Sequence, residues 1–258
     1  MFKGAKEPLT FVVSVNDAEV LRKNLLNSPV FAGRHPHRMI IREGFQSAAL
    51  AYNSALAEAK GGIIVFVHQD LWLPDGWDER FTSEFRALEK RCRMGVAGCY
   101  GITADGLQAG HVYSNGLKRE LGSIGRPKEV VSLDEIILAF RKETGLKFDP
   151  FMPNFHLYGT DICLEASQRK LKCFAVSEIC LHNSVAIKKL PSEFWAAAEY
   201  LRTKWKGRLP VRTSCATIHA GKTRMALLRC MDAVLSIKAG QPAKGERLEI
   251  PSHDDISN

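Results

Sequence analysis

The sequence lacks the features of a membrane-spanning or secreted protein. Within its 258 residues, no apolar run reaches the roughly 18 to 20 residues that a membrane-spanning helix needs. Residues 1–10 carry two lysines and no apolar core, so we expect no signal peptide. Both absences lead us to expect a cytoplasmic protein.

Paired cysteines are also missing. The seven cysteines are odd in number and include no Cys-x-x-Cys pair, which argues against a zinc ribbon and against a disulfide framework. We expect reduced, mostly buried thiols. They are Cys92, Cys99, Cys163, Cys173, Cys180, Cys215 and Cys230.

Two motifs that would indicate phosphate or nucleic-acid binding are incomplete. Gly221-Lys222-Thr223 resembles the end of a phosphate-binding loop, but Ala216 stands where that motif needs its first glycine. The net charge of +8 favours anionic partners such as nucleotides, phosphorylated lipids, nucleic acid or an acidic membrane face. No arginine-rich helix with interleaved aromatics is visible, so a nucleic-acid-binding or scaffold protein is the less favoured alternative.

What the sequence does contain is an alternation of strand-like and helix-like segments in its first 70 residues. Asn16 or Asp17 can cap the first helix and Ser47 the second. The alternation is typical of an α/β fold with a mostly parallel central sheet flanked by helices. The predicted elements are strand 9–15, helix 18–26, strand 38–42, helix 48–60 and strand 63–67.

The rest of the chain is less regular. Residues 101–127 are rich in glycine and polar residues and predict a long loop or a hairpin, and residues 129–141 fit either a strand or a buried helix. We expect Thr160 to cap a helix, and strands at 94–100 and 173–176. Amphipathic helices are predicted at 191–206 and 222–238. The predicted organisation is a catalytic domain at 1–190, a helical extension at 191–240 and a flexible tail at 241–258.

Four polar residues follow apolar segments at positions that a parallel sheet brings to one edge, where open α/β sheets bind ligands. His68, Asp70 and His182 offer imidazole and carboxylate ligands for a divalent cation carrying a diphosphate. Asp161 could accept a proton from an attacking hydroxyl. Each also has a plain structural alternative: Asp70 as a turn residue, Asp161 as a helix-start carboxylate and His182 as a hydrogen-bonded, partly buried histidine.

Several motifs together resemble family-2 glycosyltransferases of the GT-A fold, closest to the streptomycin-biosynthesis-type glycosyltransferase-like domain. The similarity covers residues 11–184. The matching segments are Ser47 to Asp70, with Asn53 in Ala-Tyr-Asn-Ser-Ala-Leu-Ala-Glu-Ala-Lys-Gly and ending Phe-Val-His-Gln-Asp, then Leu73-Pro74-Asp75-Gly76-Trp77, Lys147-Phe148-Asp149-Pro150, Tyr158-Gly159-Thr160-Asp161-Ile162-Cys163-Leu164, and His182.

The resemblance implies a role for each matching residue. Asp70 matches the last aspartate of the Asp-x-Asp motif and would hold Mn²⁺ or Mg²⁺ on the donor diphosphate. His68 replaces the first aspartate, which bears on metal affinity, and His182 would complete the metal or diphosphate site. Asp161 matches the general base of inverting members. The implied donor-binding set also includes Asn16, Asp17, Glu43, Asn53 and Asp134.

The function implied is transfer of a sugar, such as a hexose, from a nucleotide-diphosphate donor to a hydroxyl. The acceptor would be a glycan, a lipid-linked molecule or a small molecule, as in polysaccharide biosynthesis. A nucleotide-binding GT-A-like protein without transferase activity is the alternative. Helix 222–238 could contact an anionic membrane surface, and the two C-terminal helices could form a homodimer face.

Overall fold

The computed structural model describes residues 7–123, 125–185, 189–238 and 247–250. These residues form six α-helices and three sheets, of seven, six and two strands. The helices are α1 (Ala18–Lys23), α2 (Ala48–Glu58), α3 (Trp77–Glu89), α4 (Tyr158–Gln168), α5 (Ser192–Lys204) and α6 (Lys222–Lys238). The strands are β1 (Thr10–Val15), β2 (Arg38–Glu43), β3 (Ile63–Val67), β4 (Leu71–Trp72), β5 (Met94–Gly98), β6 (Tyr100–Ile102), β7 (Gln108–Ser114), β8 (Arg119–Ser123), β9 (Lys128–Val130), β10 (Ser132–Leu133), β11 (Ile137–Arg141), β12 (Lys172–Ala175), β13 (Cys180–His182), β14 (Val211–Arg212) and β15 (Thr217–Ile218).

The first half of the main sheet follows the predicted alternation. β1 pairs in parallel with β2 and β3, and all five residues of β3 are buried, as their apolar character predicts. Ser47 caps α2 by accepting a hydrogen bond from the Leu50 amide. Gly61 and Gly62, both with positive φ, then turn the chain from α2 into β3. Local sequence signals therefore account for the half of the sheet that carries Asp70.

The main sheet is mixed and has the order β2-β1-β3-β11-β5-β12-β9. β11 lies between β3 and β5 and runs antiparallel to both, which resolves residues 129–141 in favour of strands. The chain enters β11 from the second sheet without the helical crossover that a parallel return needs. The α/β class is confirmed, and the sheet contains antiparallel strands that periodicity did not reveal.

The second sheet brings His182 towards Asp70. Its order is β10-β6-β7-β13-β4, with β8 paired to β7, so residues predicted as a loop or hairpin form an antiparallel arrangement. β13 pairs with β4 so that His182 lies opposite Leu71. Since Leu71 is the residue after Asp70, this register places an imidazole beside that carboxylate.

The start of α4 differs from the expectation that Thr160 caps it. The cap is Leu157, in the left-handed conformation with φ of 62°, and Thr160 is a buried residue inside the helix. A non-glycine residue at positive φ is uncommon, and threonine is a preferred N-cap residue whereas leucine is not. The sequence therefore favours Thr160 as the cap.

The C-terminal helices lie where they were predicted. α5 follows Pro191, and its Phe194, Trp195 and Leu201 belong to the same hydrophobic cluster as Phe66 of β3. The division at residue 190 stays a prediction, although α5 shares the core of the preceding sheet. Of the predicted tail, residues 241–246 and 251–258 lie outside the described residues. Among the helices that the structure describes, none has the length and apolar content needed to cross a bilayer.

Candidate active site

A cavity of about 720 Å³ opens at the carboxyl ends of β1, β2 and β3. This is the predicted edge of the sheet, and its volume lies in the range typical of small-molecule sites. Four predicted site residues line it: Asn16, Glu43, His68 and Asp70. The other lining residues are Ser14, Val15, Ala18, Gly44, Phe45, Tyr52, Gln69, Phe155, His156 and Tyr158.

His68, Asp70 and His182 form a cluster at the rim of this cavity. Their possible ligand atoms all lie within 4.8 Å of one another. His182 Nε2 is 3.4 Å from Asp70 Oδ1, and His68 Nε2 is 3.3 Å from the Tyr158 hydroxyl. The structure thus brings together the three residues that the sequence marked for a cation.

The charge states favoured at Asp70 and His68 suit a cation. Burial opposes ionisation of Asp70, but hydrogen bonds from His182 and Arg247 hold the pKa of its carboxyl well below the usual range. Burial and the neighbouring His182 lower the pKa of His68, which favours the neutral imidazole that a metal requires. The donor set therefore fits a divalent cation, and the exchange of the first aspartate for His68 keeps a ligand atom in that position.

Gln69, which the sequence did not single out, joins the loop after β1 to the end of β3. Its Oε1 accepts hydrogen bonds from the amides of Asn16 (3.0 Å) and Asp17 (3.2 Å), and its Nε2 donates to Asn16 Oδ1 (2.5 Å). These bonds hold Asn16 at the cavity wall. Gln69 stands between the two residues of the His-x-Asp pair, and that position was the only available signal.

Three residues of the predicted donor-binding set have structural roles away from the cavity wall. Asp17 caps α1 by accepting from the amides of Glu19 and Val20. Asn53 exchanges two hydrogen bonds with the backbone of Phe148, at 2.7 and 3.0 Å. Asp134 Oδ1 accepts from the Ile136 amide at 3.3 Å. For these three, the side chain satisfies nearby backbone groups, which is the commoner use of Asn and Asp.

Asp161 does not face Asp70 across this cavity, contrary to the expectation. Its buried carboxylate accepts hydrogen bonds from Lys204 Nζ at 2.8 and 2.9 Å and from Trp205 Nε1 at 2.7 Å. Lys204 also pairs with Asp149 at 2.7 Å. Burial raises the pKa of the Asp161 carboxyl against the opposing influence of Lys204. The geometry thus uses Asp161 to join α4 to the end of α5, and its role as general base stays a prediction.

Sequence reasoning missed the aromatic wall of the cavity. Phe45, Phe155 and Tyr158 line it together with His156. Burial lowers the pKa of His156, so its imidazole is neutral near pH 7 and can accept a proton. The available signal was the aromatic residues Phe155 and Tyr158 near His156, of which only Tyr158 belongs to a segment that carries the family resemblance.

Comparison with protein families agrees with the resemblance. The family model described as "Glycosyltransferase like family" matches residues 10–198. A curated relative from Fuscovulum blasticum, named "ATP synthase subunits region ORF 6", is 28% identical over 197 residues, which cover 72% of this chain and 75% of the relative. That name describes a gene region and no chemistry.

A solved structure is also similar. It is the mannosyltransferase PcManGT from Pyrobaculum calidifontis in complex with GDP-Man and Mn²⁺, with 12% identity and a TM-score of 0.48. The match covers 91% of this chain and 76% of that one.

Proposed function

We propose, from the premise that this chain belongs to the glycosyltransferase-like family, that it transfers a sugar from a nucleotide-diphosphate donor to a hydroxyl with inversion at the anomeric carbon. The observation that carries the proposal is the His68–Asp70–His182 cluster at the rim of a cavity of about 720 Å³. A hexose donor is the first choice to test.

The donor would bind with its diphosphate at the cluster and its nucleoside deeper in the cavity. His68, Asp70 and His182 would hold a divalent cation, and their two imidazoles favour Mn²⁺ over Mg²⁺, which prefers oxygen ligands. When bound, the cation would offset charge that develops on the departing diphosphate. Phe45 and Phe155 offer apolar ring faces for the base.

Two residues are candidates for accepting the proton of the acceptor hydroxyl. His156 lines the cavity, and its ring contacts Phe194 edge-on, whereas Asp161 is engaged by Lys204 and Trp205. A general base must reach the hydroxyl through one hydrogen bond or one water molecule. We therefore assign this role to His156 and retain Asp161 as the alternative.

The acceptor class stays open among glycans, lipid-linked molecules and small molecules, and roles in polysaccharide biosynthesis and in the cytoplasm are likewise proposals. α6 supports contact with an anionic membrane face. Exposed apolar residues on α6 lie beside the exposed cations Lys222, Arg224 and Arg229, a combination typical of interfacial helices. Those apolar residues are Leu227, Met231, Val234 and Leu235. Cosedimentation with anionic and with neutral vesicles measures this contact, and sedimentation velocity tests the homodimer alternative.

The experiment that tests the function compares the wild type with Asp70→Asn in a thermal-shift screen of uridine, guanosine, cytidine and thymidine diphosphates, with and without Mn²⁺. A ligand that binds only the folded state raises the melting temperature. We expect one diphosphate to stabilise the wild type in a Mn²⁺-dependent way and to fail with Asp70→Asn.

Asp75→Asn is the matched control, because it makes the same change on an exposed residue five positions along. Transfer assays with the sugar derivative of the stabilising diphosphate then test turnover. Binding without turnover would select the non-catalytic alternative, and salt-sensitive binding to nucleic acid without any nucleotide effect would select the scaffold alternative.

A further inference from the structure

A short C-terminal segment, residues 247–250, returns to the cluster of His68, Asp70 and His182. Residues 247–250 lie against the edge formed by β4 and β13, and Arg247 Nη1 donates to Asp70 Oδ2 at 2.9 Å and to the Asn183 carbonyl at 2.6 Å. The Arg247 side chain is 32% exposed and that of Asp70 is 14% exposed. A predicted tail thus contributes a partly buried ion pair to the candidate site.

Asn183 holds this segment in place. Its buried side-chain amide makes a reciprocal pair with the backbone of Leu248: Nδ2 donates to the Leu248 carbonyl and Oδ1 accepts from the Leu248 amide, both at 2.8 Å. Asn24 and Asn115 bond the remaining sites of the same amide, at 2.7 and 3.0 Å. The side chain of Asn183 therefore uses its donors and its acceptor in a polar network, and this network holds the segment 247–250 in one geometry.

The same asparagine is tied to Asp70 through the backbone. The Asn183 amide donates to the Asp70 carbonyl at 2.8 Å. Arg247 consequently contacts the side chain of Asp70, while Asn183 contacts its main chain. Asn183 and the segment 247–250 form one hydrogen-bonded unit, because the Leu248 amide donates to Asn183 Oδ1.

The two oxygens of Asp70 have different partners. Oδ1 faces His182, and Oδ2 is bonded by Arg247. Neither Arg247 nor any other described residue of the segment lines the cavity, whereas Asp70 does. The guanidinium therefore approaches the carboxylate from outside the cavity and leaves Oδ1 directed to His182.

We propose that Arg247 is a positioning residue for Asp70: the segment 247–250, seated on Asn183, holds the carboxylate so that Oδ1 stays aimed at the cation position. This inference rests on the proposed function. Metal-ligating carboxylates are commonly held by an outer hydrogen-bond partner, and loss of such a partner costs about 10- to 100-fold in metal affinity. A charge-assisted bond from arginine suits this role because it is short and directional.

The test uses the full chain and four proteins: wild type, Arg247→Ala, Arg247→Lys and Arg80→Ala. Arg80 is the matched control, since its pair with Glu178 has similar exposure, 48% and 15%, and lies outside the cavity. The first measurement is Mn²⁺ affinity by calorimetry. We expect Arg247→Ala to weaken it by about 10- to 100-fold, Arg247→Lys to recover part of the loss, and Arg80→Ala to match the wild type.

Unchanged Mn²⁺ affinity in Arg247→Ala would overturn the proposal, and so would tighter binding, because Arg247 would then compete with the cation for Asp70. The second measurement is hydrogen exchange of the Asn183 amide in metal-free protein. We expect faster exchange in Arg247→Ala at an unchanged melting temperature, and unchanged exchange would overturn the proposal. If the wild type binds no Mn²⁺, the metal part of the proposed function fails, while the exchange result still decides whether Arg247 holds this unit.

Discussion

Asp70 is partly buried and Asp161 is buried, and both carboxylates have cationic partners, yet their surroundings differ. Asp70 lines a cavity and has one oxygen towards His182 and the other towards Arg247. Asp161 is enclosed between α4 and the end of α5, with Lys204 and Trp205 as its donors. The pKa of Asp70 is lowered against burial by its hydrogen bonds, whereas burial raises that of Asp161.

The difference shows that a buried acid is a functional candidate only if an open volume reaches it. Both aspartates follow apolar segments, and in the sequence each has a functional interpretation and a plain structural alternative. In the folded chain Asp70 lines a cavity, whereas Asp161 pairs with Lys204 and accepts from the indole of the buried Trp205. We therefore expect that removal of the Asp70 carboxylate mainly lowers activity, whereas removal of the Asp161 carboxylate mainly lowers stability.

The largest expected effect is on turnover. We expect His156→Gln to lower kcat by about 100-fold or more, the usual contribution of a general base, with little change in nucleotide binding. Asp161→Asn, assayed well below its melting temperature, should retain a kcat close to that of the wild type. Steady-state kinetics on the donor identified by the thermal-shift screen provides the measurement.

The opposite result would exchange the two assignments. If Asp161→Asn loses turnover while its folded fraction and nucleotide affinity match the wild type, Asp161 is the base and Lys204 must release it during the reaction. His156→Gln would then retain turnover.

The next effect is on stability. Asp161→Asn removes the negative charge that pairs with Lys204 and one of the two oxygens that accept from its Nζ, and we expect a loss of about 2 kcal/mol in the free energy of unfolding. For a chain of this size the melting temperature should fall by about 4 to 8 °C. Urea denaturation and calorimetry measure these quantities.

Glu165→Gln is the control for that loss. Its pair with Arg169 lies on the exposed side of the same helix, with side-chain exposures of 26% and 42%, and such pairs contribute little. Equal destabilisation by the two variants would show that the buried contact contributes no more to the free energy of unfolding than the exposed ion pair.

The smallest effect is the pH dependence, which should have opposite signs for the two aspartates. The folded-state pKa of Asp161 is above 3.8, so the folded chain binds more protons than the unfolded chain between 3.8 and that raised value, and stability falls as pH rises through this window. The folded-state pKa of Asp70 is below 3.8, so its contribution is present above 3.8 and is lost as pH falls through the lowered value.

Urea unfolding of the wild type, Asp161→Asn and Asp70→Asn at pH 7, 4 and 3 checks these signs. The difference between wild type and Asp161→Asn should grow from pH 7 to pH 4. The difference between wild type and Asp70→Asn should shrink from pH 4 to pH 3. Parallel trends would show that the two carboxylates have equivalent environments.

Much of the fold near the cavity could be predicted because its causes are local. The apolar run of β3, the Ser47 cap and the glycines at 61 and 62 each act within a few residues, so a periodic pattern reveals them. The direction of β11 could not be predicted in this way, because it depends on the path that the chain takes through the second sheet between β5 and β11. The Leu157 cap was hidden because its positive φ is imposed by surrounding structure.

The residues of the candidate site also differ in whether their causes are local enough for the sequence to reveal them. His68 and Asp70 are adjacent to a buried strand, and their position alone indicated a ligand site. Asn53 and Asp134 are also polar, but their side chains bond backbone groups. Asn53 meets the Phe148 backbone only in the folded chain, and Asp134 meets the Ile136 amide only within a tight turn. Gln69 was marked only by its place in the His-x-Asp pair and His156 only by the aromatic residues near it, and neither feature by itself indicates a ligand site.

By itself the sequence determined the α/β class, the order of the early strands and helices, and the polar pair that ends β3, because each depends on side chains within one turn or one strand. Only the tertiary structure decided which acids meet ligand space. Lys204 lies 43 residues from Asp161 and Arg247 lies 177 residues from Asp70, and the energy of a carboxylate depends on such partners and on exclusion of water, neither of which is encoded locally.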